Sequence, residues 1–292
     1  MKADSSDGLP VVEKPKTEAL TPTNLWRRTI VAVDQVLAPL VIFGATYFAA
    51  IFAIAPRLRH FQWVALFSAA LATAVAVALW DRGRWRLGLF VDPRLALREG
   101  AIGLAFAIAI LGSADVLIVV TTGLSHTVSG GFPWLEIVAV FLPAVLHEEL
   151  LFRGYPFQRL WRWKPAFAII AVSLVFAALH AGNASASLVG LTNVFLGGVL
   201  LSLAYARFER LWFPIGLHFG WNLMAGPTLG YEVSGYTPQA SLLELTGSGP
   251  LLLTGGAFGI EGSLWMTAVE LGAIAVLLKW RTSPEILNSS VR

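Results

Sequence analysis

Eight long apolar runs, separated by short polar or basic stretches, constrain this chain more than any other feature. They fall at about 36–55, 62–80, 101–121, 134–152, 165–180, 187–206, 211–226 and 264–281. Residues 36–55 contain no charge, and as a helix they are long enough to cross roughly 30 Å of hydrocarbon. The runs at 165–180 and 211–226 are short for a span and carry polar residues. Charged residues make up 13% of the chain, half the roughly 25% of an average soluble domain. The expected fold is therefore all-α: a polytopic membrane protein of about eight transmembrane helices.

Loop charges test that count. With the N-terminus placed in the cytoplasm, the loops on that side carry Arg82, Arg84, Arg86, Arg94 and Arg98, then Arg153, Arg159, Arg162 and Lys164, then Arg207 and Arg210, and finally Lys279 and Arg281. The opposite loops carry Arg57 and Arg59, and no Lys or Arg at 122–133, 181–186 or 227–263. This asymmetry follows the positive-inside rule and favours an even number of spans, with both termini cytoplasmic. The formal charge of +3 is spread in these short clusters, a pattern of membrane orientation and not of nucleic-acid binding. The absence of cysteine excludes disulfides, thiolate metal sites and a cysteine nucleophile.

Residues 1–25 read as a polar, disordered cytoplasmic tail without the features of a secretory signal. A transmembrane domain follows over 26–282, and a short cytoplasmic tail over 283–292. The basic, apolar stretch 86–100 reads as an interfacial helix capped by Asp92 before Pro93. The long acidic loop 225–263 contains a leucine-rich piece that reads equally well as a re-entrant dip or a surface loop. His60 and His126 fall in loops and are expected to be solvated.

Three polar groups stand out within the apolar runs. The first is Glu148 and Glu149 with Arg153, the second is Phe176 to His180 followed by Asn183, and the third is His218 with Asn222. Charges at membrane depth cost roughly 2.5–3.5 kcal/mol each and mark functional sites. Glu149 and Arg153 stand one helical turn apart, acid before base, which pairs them and leaves Glu148 free. One shared polar cavity satisfies these groups most economically. No serine there fits a nucleophile pattern, and His147 to Leu151 is not H-E-x-x-H, because residue 151 is leucine. What remains is water activation by Glu148 with help from His180, His218 and Asn222 donating to an oxyanion. A divalent metal held by Glu148, His180 and His218 fits the residue types equally well. His147 faces lipid headgroups or a neighbouring helix.

Together, Glu-Glu-x-x-x-Arg at 148–153, Phe-x-x-x-His at 176–180 and His-x-x-x-Asn at 218–222 resemble the CPBP ("Abi") family of intramembrane proteases. That family includes the CAAX prenyl endopeptidase and bacterial relatives. Phe152 to Gly154, and Leu211 to Ile215 before His218, add to the likeness, which covers about 134–226. The resemblance implies a helical bundle around a conical cavity and an endopeptidase cutting a membrane-associated protein or peptide. Glu148, His180, His218 and Asn222 match its catalytic positions, and Glu149 and Arg153 its supporting ones. Members carry a metalloprotease classification, yet the glutamate-and-water mechanism described for one needs no metal. The expectation here is no required cofactor, with a divalent ion such as zinc as the alternative. A chain of this size without an organelle presequence resembles bacterial plasma-membrane members. The rival readings are a catalytically silent scaffold or immunity factor, and a small-solute transporter using the cluster as a proton relay.

Overall fold

The structure, a computed structural model, describes residues 22–55 and 61–280, with side chains from Asp34 onward. The C-terminal tail, His60, Arg57, Arg59 and all but the last residues of the N-terminal tail lie outside the described residues. The protein is a helical membrane protein, and all eight apolar runs form helix. Helix α1 spans Pro22–Ile54, α2 Phe61–Leu79 and α3 Pro93–Thr121. The fourth run begins with α4 (Trp134–Glu136), widens through a π-helical turn (Ile137–Phe141) and continues as α5 (Leu142–Phe152). Then come α6 (Tyr155–Trp163), α7 (Pro165–His180), α8 (Leu188–Phe208) and α9 (Trp212–Leu223). The single turn α10 (Leu251–Thr254) and the helix α11 (Leu264–Lys279) complete the order.

Among the described residues, four helices are long and apolar enough to cross a bilayer: α2, α3, α8 and the part of α1 from Asp34 onward. Helix α7 is apolar but shorter. The run at 134–152 is interrupted by its π turn, and the run at 211–226 ends in a second one, Met224–Thr228.

The stretch 86–100 is not a separate interfacial helix. Asp92 does cap, its carboxylate accepting from the Arg94 amide at 2.8 Å, but the helix it starts runs on unbroken to Thr121. Gly100 is the only weak helix former at the junction, and its cost of about 1 kcal/mol is small beside the packing of the apolar run that follows. The segment is also docked, since Glu99 is buried and accepts from Arg210 Nε at 2.8 Å.

The loop before α4 and the loop after α9 are joined in a small antiparallel ribbon. Strand β1 (Ser125–Val128) pairs with β2 (Leu243–Thr246), with Ser125 opposite Thr246 and Val128 opposite Leu243. His126 is accordingly not solvated. Its Nε2 lies 2.8 Å from Asp115 Oδ1, and the same oxygen accepts from the Tyr231 hydroxyl at 2.8 Å. A buried carboxylate in α3 needs such donors, and the loops supply them.

Helix α9 sits centrally, packed most extensively on α3 and also touching α5 and α8. Its crossing with α3 is a backbone contact. A Cβ on Gly216 would overlap the carbonyl oxygen of Gly100 and lie 2.7 Å from Gly100 Cα, and one on Gly103 would lie 2.5 Å from the Leu217 nitrogen. Gly216 and Gly220 are one turn apart, the small-x-x-x-small arrangement that lets membrane helices approach closely. This contact fixes the depth and rotation of the helix that carries His218 and Asn222.

Candidate active site

Helix α5 delivers His147, Glu148 and Glu149 in succession, so their side chains leave it in three directions. Glu148 faces a cavity of about 1030 Å³ lined also by His147, His180, His218 and Asn222. Most of the wall is apolar, including Phe43 of α1, Leu151 of α5 and Val175 of α7.

Glu149 points away from the cavity and is fully buried. Its Oε1 accepts from Arg153 Nη1 at 3.2 Å, the pairing expected from their spacing. Arg153 is also fully buried; its Nη2 donates to the Gly198 carbonyl at 3.0 Å, and its guanidinium lies 5.0 Å from the centre of the Phe176 ring. Gly198 also lets α8 pack closely on α7, because a Cβ there would lie 2.9 Å from the Ser173 Cβ. Gly154 is equally constrained, since a Cβ would overlap the Leu150 carbonyl oxygen at the sharp exit from α5.

A second bond to Glu149 was not foreseen. His218 Nδ1 lies 2.8 Å from Glu149 Oε1, while His218 Nε2 lies 3.7 Å from Glu148 Oε2. The ring bridges the two neighbouring carboxylates, one buried and one on the cavity wall. Since the carboxylate can only accept, Nδ1 carries a proton. His180 is oriented in the same manner: its Nδ1 donates to the Phe176 carbonyl at 2.8 Å, which leaves Nε2 as an acceptor. Phe176 joins the two histidines, with ring centroids 4.5 Å from His180 and 6.2 Å from His218.

Asn222 follows His218 by one turn and also lines the cavity. Asn183 lines it too, but its amide is held by the Ser234 carbonyl at 3.0 Å. His147 faces a neighbouring helix: its Nε2 lies 2.8 Å from the Tyr47 hydroxyl of α1, with the two rings stacked. The loop after α9 closes part of the rim through Tyr236, which donates to Glu136. Burial, reinforced by that hydrogen bond, pushes the Tyr236 phenol up to about 12, so it remains a donor at neutral pH.

Glu148, His180 and His218 do not converge as a metal set. Among the described residues no three His, Cys, Asp or Glu side chains come together closely enough to hold an ion. Both histidines spend Nδ1 on protein acceptors, His180 on the Phe176 carbonyl and His218 on Glu149.

Residues 130–224 match the family model described as type II CAAX prenyl endopeptidase, Rce1-like. This part of the chain is similar to the Rce1-like family. The Rce1-like segment agrees with the CPBP resemblance, spans about a third of the chain and contains every candidate site residue from Glu148 to Asn222. The description of that family names an endopeptidase, an enzyme that hydrolyses peptide bonds. An Escherichia coli protein named "Uncharacterized 24.3 kDa protein" is 33% identical over 99 residues, covering 33% of this chain and 42% of that protein. The chain thus matches less than half the length of this relative. No solved structure matches the chain.

Proposed function

We propose that the protein is an intramembrane endopeptidase that hydrolyses a peptide bond of a membrane-associated protein or peptide, with Glu148 as general base. The observation that carries this reading is the His218 bridge, with Nδ1 on Glu149 and Nε2 toward Glu148. It joins a partly exposed base and a buried carboxylate at the wall of one apolar cavity.

In the proposed reaction, a water molecule gives one proton to Glu148 and directs its other hydrogen to the free Nε2 of His180. Its oxygen attacks the scissile carbonyl carbon, and the carbonyl oxygen becomes an oxyanion. Asn222 donates to that oxygen through its amide. His218 donates from Nε2 only when both ring nitrogens are protonated, because Nδ1 already serves Glu149. The charges balance in that state, with Glu148 and Glu149 negative against Arg153 and His218 positive. Collapse of the intermediate breaks the C–N bond, and Glu148 returns its proton to the leaving amine. No step passes through a metal.

The test compares membrane proteomes of cells expressing wild type or Glu148→Gln at equal protein levels, by mapping peptide termini. Termini formed only with wild type are expected. Identical termini, with both proteins giving the same cellular phenotype, would shift the reading to a non-catalytic scaffold.

A further inference from the structure

Beyond the Glu148 site, the same cavity has a second polar end. Glu270 of α11 and Glu261 in the turn before it both line the cavity, as do Asn193 and Gly197 of α8. The four belong to no motif named above, and Glu261 and Glu270 lie outside the Rce1-like segment.

The two carboxylates differ in their partners. Glu261 is held firmly, with Oε1 accepting from Trp221 Nε1 at 2.8 Å and Oε2 from the Ser234 hydroxyl at 2.7 Å. Glu270 is fully buried, and both of its oxygens lack a hydrogen-bond partner. Gly197 leaves room for it: even a Cβ there would lie 3.4 Å from Glu270 Oε1. Arg153, buried beside the Glu148 site, is already spent on Glu149 and Gly198. A buried carboxyl facing a cavity beside a second carboxylate, with no ion pair to a cation among the described residues, is complementary to a cation brought by a ligand. The ligand that the proposed reaction places here is a peptide, and peptides bring cations as lysine or arginine side chains.

We propose that Glu270 and Glu261 form a cation subsite of the cavity that takes a lysine or arginine side chain of the bound peptide. The proposal rests on the endopeptidase reading for the identity of the ligand. It makes Glu270 a specificity residue, remote from bond cleavage. Trp221 ties the subsite to the reaction, since it stands one turn from His218 and next to Asn222 while its indole holds Glu261.

Two measurements test it. In nanodiscs of neutral phosphatidylcholine, dodecylguanidinium should bind wild type at least about tenfold tighter than its uncharged analogue dodecylurea. Glu270→Gln, which keeps the shape, should remove that difference. Equal binding of the two amphiphiles to wild type overturns the proposal even if the variant fails to fold. So does a preference that survives in a folded Glu270→Gln protein, or one that sodium chloride replaces with sodium binding at the same carboxyl. The second measurement is the terminus map. Wild-type-dependent cuts should carry a basic residue at a fixed offset, and Glu270→Gln should lose it. Cuts without that residue would retain the protease and remove the subsite. Guanidinium selectivity without any cuts would retain the cation subsite and remove the protease.

Discussion

His218 hydrogen-bonds Glu149 at 2.8 Å through the ring nitrogen that faces away from the cavity. Glu149 therefore has two cationic or potentially cationic neighbours, Arg153 and His218, and both are buried. Removing its carboxylate strands both. Glu149→Ala is expected to destabilise the protein by about 3–5 kcal/mol, as breaking a buried pair from one side usually does. Thermal unfolding in detergent checks this. Adding Arg153→Met to Glu149→Leu should recover part of the loss of the single variant, as a double-mutant cycle would read.

Glu148 should behave in the opposite way. Its side chain is partly exposed at the cavity wall, and the nitrogen of His218 that faces it is 3.7 Å away. Glu148→Gln is expected to change stability by less than about 1 kcal/mol and to lower turnover at least about a hundredfold. Matched measurements of unfolding temperature and cleavage rate decide between the two acids. Loss of activity with Glu149→Gln alone, in a stable protein, would reverse the assigned roles.

Asn222 is expected to act on the transition state and not on binding. Asn222→Ala should lower kcat by about 10²–10³-fold with KM nearly unchanged. Steady-state kinetics on a substrate found by terminus mapping provides the check. A pure KM effect would make it a binding residue instead.

The α3–α9 crossing gives a test that touches no polar group. Gly216→Ala forces a Cβ into the backbone of Gly100, so it should cost at least about 1–3 kcal/mol and shift the helix bearing His218. Gly112→Ala is the control, because nothing lies within 4 Å of its added Cβ. Activity and unfolding temperature should both fall for the first variant and neither for the second.

Much of this arrangement was legible along the chain, for definite reasons. Apolar runs reveal helices because lipid leaves the backbone no other way to satisfy itself. The Glu149–Arg153 pair follows from helical spacing alone. The bond from Glu149 to His218 does not, because it joins residues in different helices through a contact that no spacing encodes. Glu270 was hidden for another reason: one acid in an apolar run gives no hint of whether it will meet a partner. His126 was misjudged because its partner, Asp115, lies a strand and a helix end away. The glycines at 216 and 220 did carry a visible signal, and their spacing was there to be read.

The glycine contact also sets what can be transplanted. Residues 130–224 contain all the side chains proposed to react, yet the ruler that positions α9 is α3, which ends before that stretch begins. Grafted into a foreign helical scaffold, the segment would arrive chemically complete and geometrically loose. A working chimera has to import a partner helix as well, one whose own backbone is bare where Gly100 and Gly103 now stand.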